Sequence, residues 1–212
     1  KELEEYITEF RDDNIFAVAE LLRRGISTEK LHQITKITEY FLKAIKNITD
    51  KEKELREKVR DREALLSAKA MGFSDKYIAK LWDKEERDIY DMRMAEGAKP
   101  VYRMADTFHT GAYIPYFYSS YSGENTSVKT DKKKIVVLGA GPIRIGQGVE
   151  FDYSTVPAAT TIKNAGYEAI IINNNPETVS TDYTTGDKLY FEPLTVEDVM
   201  SVIDFEEPVG VI

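Results

Sequence analysis

Hydrophobic positions along the chain follow two different periods, and the change between them divides it into two parts. Up to about residue 104, apolar residues recur three or four positions apart, as in NIFAVAELLRRG, where Ile15, Ala19 and Leu22 share one helical face. From Lys134 onwards, short apolar runs such as IVVLG and EAIIIN alternate with helical stretches. The first pattern predicts an all-helical region, and the second predicts a parallel α/β region.

The helical part contains clear start and stop signals. Ser27 precedes a short helix, Thr38 precedes a long one, and Gly72 follows the helical stretch REALLSAKAM. The long helix carries apolar residues at helical spacing: Tyr40, Phe41, Ala44, Ile45 and Ile48. Its continuation, KEKELREKVRDRE, is typical of a solvated face. A last helix is predicted over residues 84–96.

The second part is predicted to contain strands at IVVLG, EAIIIN, KLYFEP and PVGVI, with helices at TVPAATTIKNAG and TVEDVMSVIDF. Before it, YIPYFYSSYSGENTSVKTDKKK is predicted to be an extended segment that covers its tyrosine rings on a domain surface and leads into a linker. We therefore predict an α + α/β fold class. Its parts are a helical domain with a C-terminal strap at 1–121, a linker at 122–133, and a Rossmann-like parallel domain at 134–212.

Charge and composition exclude several classes of function. The 212 residues carry a net charge of −8, which argues against a nucleic-acid-binding surface. No apolar run approaches the roughly 20 residues of a membrane span, and KELEEYITEF is not a signal peptide. The absence of cysteine excludes disulfides and thiolate sites, and with only His32 and His109 no metal site is predicted. These features suit a cytoplasmic protein without membrane or nucleic-acid partners.

The glycine-rich loop LGAGPIRIGQGVEFDYS only partly matches a dinucleotide-binding fingerprint. Gly139 and Gly141 fit G-x-G-x-x-G, but Arg144 occupies the third glycine position. The next strand ends in three asparagines, beginning at Asn173, where a ribose-binding carboxylate is expected. The Gly-Lys-Ser/Thr of a P-loop is also missing. The loop therefore predicts no NAD or ATP site, and a ligand-free turn remains possible.

Charged residues in and after this loop suggest another kind of site. Arg144 and Glu150 flank Gly148, and Glu177 lies in NNNPETVSTDY after the second strand. Parallel sheets bind ligands beyond the carboxyl ends of their strands, so these residues could meet there. Two carboxylates and an arginine suit a small polar species. The alternative is a buried ion-pair network that only orders the loops.

Four stretches carry a specific resemblance: GAGPIRIGQGVEFDYS, NNNPETVSTDYTTGDKLYFEP, RRGISTEKLHQITKIT and GFSDKYIAKLW. Together they closely resemble the large chain of carbamoyl-phosphate synthase. In that family the large chain has two similar synthetase halves. The resemblance implies that the helical part is the oligomerisation domain between them. The α/β part is then the pre-ATP-grasp domain that begins the second, carbamate-phosphorylating half.

The resemblance also implies a chemistry for the parent enzyme. This ligase makes carbamoyl phosphate from bicarbonate, glutamine-derived ammonia and two ATP, for arginine and pyrimidine biosynthesis. It uses Mg or Mn with K, and its partner is a glutaminase small subunit. By motif position, Arg144, Gly148, Glu150 and Glu177 correspond to residues near an interior tunnel for the intermediate.

The ATP-grasp module of the family follows the segment that ends here at Ile212. The α/β domain is therefore expected to be truncated, and the fragment alone is expected to be inactive. It is predicted to hold no catalytic, metal-binding or cofactor-binding residues. Its expected contacts are self-association through residues 1–104 and the remainder of the large chain.

Two other classes of function remain open. One is a purely structural interaction module in which the glycine loop has no role. The other is a helix-turn-helix DNA-binding domain fused to a Rossmann-like domain, because GFSDKYIAKLWDKEERDIYDMRM has the pattern of two helices joined by a short turn. The acidic second helix argues against that reading, since a recognition helix is expected to be basic.

Overall fold

A computed structural model describes residues 2–106, 111–142, 152–176, 178–182 and 184–212. By their contacts the residues group into two compact units, Lys1–Glu96 and Gly97–Ile212. The first unit is helical, and the second is a mostly parallel sheet with helices. The predicted α + α/β fold class is confirmed.

The first unit is a series of helices that begin at capping residues. Ser27 and Ser74 each accept a hydrogen bond from a backbone N–H of the helix that follows, and Asp61 does the same. The helices are α1 Glu2–Tyr6, α2 Asn14–Arg23, α3 Thr28–Thr35, α4 Glu39–Glu57, α5 Arg62–Ala70, α6 Asp75–Trp82 and α7 Glu86–Ala95. In the described part of the chain, no helix has both the length and the apolar character needed to cross a bilayer.

Two apolar clusters form the core of the first unit, and α4 contributes to both. Its Leu42 packs with Val18 of α2 and Leu31 of α3. Its Leu55 belongs to the cluster formed by α5, α6 and α7. The Trp82 Nε1–H donates to the Leu55 carbonyl oxygen at 2.7 Å, which ties α6 to α4.

A buried ion cluster adds to the second of these regions. The Asp75 carboxylate at the start of α6 lies 2.6 Å from Arg93 Nε of α7 and 2.9 Å from Lys69 Nζ of α5. All three side chains are fully or almost fully buried. Because a buried charge is costly without its partners, this cluster favours a single arrangement of the three helices.

Helical spacing alone did not identify the buried faces of α2 and α4. Ile15 is 56% exposed and Tyr40 is 74% exposed, whereas Val18 and Leu42 are fully buried. Both helices carry apolar residues on more than one side, so the period does not decide which side meets the core. Phe16 and other large apolar side chains consequently remain on the surface.

The second unit is built on one six-stranded sheet. Its strands are β1 Val101–Met104, β2 Tyr116–Ser120, β3 Lys134–Leu138, β4 Glu168–Ile172, β5 Lys188–Tyr190 and β6 Gly210–Val211, and its helices are α8 Thr155–Asn164 and α9 Val196–Glu206. The strand order is β1-β2-β5-β4-β3-β6. All neighbours are parallel except β1 and β2. The strands and helices predicted after Lys134 are all present.

The structure divides the chain at a different place from the predicted boundary at residue 121. The expected strap, including β1 and β2, lies in the second unit, and β2 pairs with β5 in parallel. Tyr102 and Phe117 are buried beside Tyr190 of β5, with ring centroids 4.8 and 5.5 Å away from it. These tyrosine and phenylalanine rings are therefore covered by the sheet domain.

Charged side chains are also buried at the amino ends of the parallel strands. Glu206, at the end of α9, accepts from Lys188 Nζ at 2.6 Å and from Lys134 Nζ at 3.0 Å. The Tyr190 hydroxyl donates to the same carboxylate. This group links β3, β5 and α9, so the polar atoms at this end of the sheet are satisfied internally.

Candidate functional site

The loops that follow β3 and β4 begin at the same edge of the sheet. Leu138, the last residue of β3, is paired with Ile172, the last residue of β4. The strands are parallel, so both of their carboxyl ends point the same way. This edge is where a ligand or passage is expected in such a sheet.

The four residues predicted for the tunnel lie outside the described residues. Arg144, Gly148 and Glu150 belong to the segment 143–151, and Glu177 is a single undescribed position in the next loop. The structure does describe the chain on both sides of each segment. Pro142 and Asp152 flank the first, and the second is flanked by Pro176 and Thr178.

Gly139 begins the first loop, and its lack of a side chain has a packing reason. Its N–H continues the sheet by donating to the Ile172 carbonyl oxygen at 2.9 Å. A Cβ atom placed at this position would lie 2.4 Å from Asn173 Cγ, far inside van der Waals contact. The glycine thus permits close approach of the two loops, which explains this part of the apparent nucleotide fingerprint.

Asn173 stands where a dinucleotide-binding fold has its ribose-binding carboxylate, but it serves the protein itself. The side chain is fully buried. Its Oδ1 accepts from the N–H groups of Gly141 and Asn174, each at 3.0 Å. Its Nδ2 donates to Ser180 Oγ at 2.9 Å and to Asp152 Oδ2 at 3.4 Å. This amide therefore joins the loops after β3 and β4.

Asp152 is the centre of this arrangement. The residue is 2% exposed. Its Oδ1 accepts from the Ala140 N–H at 3.2 Å and from Thr155 Oγ1 at 2.6 Å. Its Oδ2 accepts from the Thr178 hydroxyl at 3.1 Å and from the Ser180 hydroxyl. We call Asp152, Thr155, Asn173, Thr178 and Ser180 the Asp152 cluster.

Sequence reasoning did not single out Asp152 or assign a role to Asn173. A local signal existed, because an aspartate followed closely by serine and threonine before a helix is a common helix-start pattern. Thr155, the first residue of α8, donates its N–H to the Asp152 backbone carbonyl oxygen at 3.2 Å and its hydroxyl to the Asp152 carboxylate at 2.6 Å. The long-range donors, Thr178 and Ser180, leave no comparable signal in the sequence.

A cleft of about 500 Å³ lies beside the Asp152 cluster, between the start of α8 and the short 3-10 helix Val179–Thr181. The described residues that line it are Asp152, Tyr153, Val156, Pro157, Thr160, Thr161, Thr178 and Val179. None of these is basic. Apart from the Asp152 carboxylate, its walls are apolar or hydroxyl-bearing, and such a lining does not favour a phosphate group.

A second buried carboxylate lies past the end of β5. Glu192 accepts from the N–H and the hydroxyl of Ser119, the latter at 2.9 Å, and so ties β2 to the segment after β5. Burial raises the pKa of this carboxyl group to about 7, against the lowering effect of the two Ser119 hydrogen bonds. Asp198, through its negative charge, also raises this pKa.

Comparison with known protein families gives one match for each part of the chain. Residues 1–97 match the model of the carbamoyl-phosphate synthetase large chain oligomerisation domain. Residues 131–212 match the model of the carbamoyl phosphate synthase preATP-grasp domain. The two matched domains occur in the order that the sequence motifs predict.

Proposed function

Because the chain belongs to the family of carbamoyl-phosphate synthase large chains, we propose that its second unit forms part of the wall of a passage for the reaction intermediate. The family's domains are those of a ligase. The parent reaction that we propose uses bicarbonate, glutamine-derived ammonia and two ATP to supply carbamoyl phosphate for arginine and pyrimidine biosynthesis. Arg144, Gly148, Glu150 and Glu177 are the proposed wall residues.

The observation that carries this proposal is the joining of two loops by the Asp152 cluster. Asp152 directly follows the segment with Arg144, Gly148 and Glu150, and Glu177 immediately precedes Thr178, which donates to that aspartate. The backbone next to both segments is therefore held at one edge of the sheet. This supports a shared site for the four residues.

The chemistry of the proposed wall suits a small polar species. An arginine can donate hydrogen bonds to a carbamate, and glycine leaves room beside it. A neighbouring carboxylate disfavours the carbamate anion and so helps to keep the molecule protonated. We propose that ATP, Mg or Mn and K are bound by other parts of the parent enzyme. On this view the fragment alone binds no nucleotide and is inactive.

The first unit has a different proposed role, which is self-association in the cytoplasm. Its surface carries large apolar side chains on α2 and α4: Ile15, Phe16, Tyr40, Phe41 and Ile48. Exposed apolar residues in such number favour a protein contact. The match to an oligomerisation domain supports a second copy as the partner. The remainder of the large chain and a glutaminase small subunit are the other proposed partners.

Substitution of Gly148 by phenylalanine tests the passage. In a complete synthase carrying this sequence, we expect Gly148→Phe to abolish overall carbamoyl-phosphate synthesis because the ring obstructs transfer of the intermediate. Bicarbonate-dependent ATP hydrolysis and ATP synthesis from carbamoyl phosphate and ADP should both survive. Steady-state assays of the three activities provide the measurement.

Gly148→Ala is the matched control, since a methyl group is too small to fill a passage, and it should retain overall synthesis. Loss of both partial reactions in Gly148→Phe would identify a packing position. Full overall synthesis would show that Gly148 does not line a passage.

A further inference from the structure

We propose that Asp152 is a positioning residue, whose carboxylate sets the placement of the loops after β3 and β4 relative to each other. This inference rests on the proposed function, because those loops contain the proposed passage wall. Asp152 is not assigned to the wall or to the chemistry. It acts through the backbone segments that its oxygens hold.

The first argument is the origin of its hydrogen-bond donors. Ala140 directly follows β3 and Gly139, Thr155 begins α8, and Thr178 and Ser180 lie beyond β4. A single carboxylate thus connects three separate segments of the chain. Replacing it changes all of these contacts at once, whereas replacing any one donor changes only one of them.

The second argument is burial. Asp152 is 2% exposed, and Ser180, which donates to it, is fully buried. In such surroundings hydrogen bonds to a charged acceptor are stronger than those to a neutral one. Water cannot easily replace a lost partner there, so loss of the charge should loosen both loops.

The third argument is the coupling between Asp152 and Asn173. The Asn173 Nδ2 group faces Asp152 and Ser180, so its Oδ1 is directed to the N–H groups of Gly141 and Asn174. The carboxylate thereby fixes which way the amide points. Asp152 and Asn173 therefore act as a pair, in which the amide donates a hydrogen bond and the carboxylate accepts it.

Amide hydrogen exchange on Asp152→Asn tests the positioning claim directly. We expect the N–H of Ala140 or of Asn174 to exchange at least about tenfold faster, because the amide introduced at 152 has only one acceptor oxygen. If this oxygen faces Asn173, the Ala140 N–H loses its acceptor; if it faces Ala140, two NH2 groups meet and the Asn173 oxygen that accepts from Asn174 must turn away. The Gly139 N–H, which donates to the Ile172 carbonyl within the sheet, is the internal reference and should change less than about twofold. Unchanged exchange at Ala140 and Asn174 would overturn the proposal.

Two further variants control for chemistry and for folding. The exchanged pair Asp152→Asn with Asn173→Asp retains one carboxylate and one amide, so it should restore part of the protection. Ser180→Ala removes one donor and keeps the carboxylate, and it gives a milder test if Asp152→Asn does not fold. Thr160 lines the cleft beside the Asp152 cluster, but its hydroxyl donates to the Val156 carbonyl oxygen. Thr160→Val should therefore leave the exchange of Ala140 and Asn174 unchanged. If the exchanged pair restores no protection from hydrogen exchange, Asp152 and Asn173 do not act as a pair.

The functional consequence is measured in a complete synthase carrying this sequence. Asp152→Asn should lower the carbamoyl phosphate formed per ATP hydrolysed at least about fivefold, while each partial reaction stays within about twofold. A merely structural role would lower both partial reactions together.

Gly148→Phe separates this inference from the proposed function. If Gly148→Phe uncouples the enzyme and Asp152→Asn does not, the role of Asp152 is wrong and the passage stands. If Gly148→Phe leaves synthesis intact, the passage itself is wrong. In that case faster exchange in Asp152→Asn would still support loop positioning.

Discussion

At the scale of single residues, Glu192 shows how one buried carboxylate makes stability depend on pH. Its folded-state pKa of about 7 lies above the ordinary value of 4.5. The folded protein therefore binds the proton of the Glu192 carboxyl group more tightly than the unfolded chain does. The resulting stabilisation is complete below the unfolded value and is lost as the pH rises towards and through 7.

Glu192→Gln should remove this dependence, because an amide is neutral throughout and still accepts from Ser119. Between pH 5 and pH 8 we expect the unfolding free energy of the natural protein to fall relative to the variant, by up to about 3 kcal/mol. Urea unfolding followed by circular dichroism at the two pH values measures the difference. Glu124→Gln, at an exposed position, is the control. A constant difference between the natural protein and Glu192→Gln would contradict the assignment.

At the scale of elements, the junction between β3 and its loop depends on Gly139. A Cβ atom there would approach three atoms of Asn173 to within 2.4–2.7 Å. Asn173 would have to move and give up hydrogen bonds to Gly141 and Ser180. The close packing of the end of β3 against the Asp152 cluster thus requires a residue without a Cβ atom at position 139.

Gly139→Ala should lower the unfolding free energy by about 1–3 kcal/mol, the usual cost of forcing extra volume into a packed site. Thermal unfolding compared with the natural chain is the measurement. Gly210→Ala in β6 is matched to it, since a Cβ there meets nothing within 4 Å, and should have almost no effect. If the two substitutions change the unfolding free energy equally, Asn173 can move away from the added methyl group without loss of stability.

Elements with continuous apolar runs could be predicted from the sequence, and elements defined by distant partners could not. The strands β3 and β4 and the helices α8 and α9 follow directly from the local pattern. The sequence predicts β2 only as part of an extended strap, because its partner β5 lies far along the chain. The candidate site shows the same limit. The sequence identifies the glycine-rich loop, whereas the contacts of Asp152 and Asn173 depend on how the loops after β3 and β4 pack together.

At the scale of the whole molecule, the exposed side chains of α2 and α4 predict self-association. Phe16 is 74% exposed and Phe41 is 59% exposed. Their replacement by aspartate, separately or together, should weaken association at least about tenfold, since a charge on an apolar contact must be desolvated. Sedimentation equilibrium gives the association constant, and circular dichroism checks that the helices remain.

Val128→Asp is the matched control, because it adds the same charge to an exposed apolar position of the second unit. It should leave association unchanged. If the variants of Phe16 and Phe41 associate as the natural chain does, the contact lies elsewhere.

The parallel pairing of β2 with β5 also bears on where this polypeptide can be cut. The two family matches leave residues 98–130 unassigned, and both β1 and β2 lie in that interval. A polypeptide that starts at residue 131 would lack Phe117 from its core. Its β5 would still pair with β4 but would become an edge strand with its other side unpaired. Unpaired edges recruit strands from other molecules, so such a shortened domain is expected to aggregate. Similarity to a family marks where sequences can be aligned, and here the folding unit begins about thirty residues earlier.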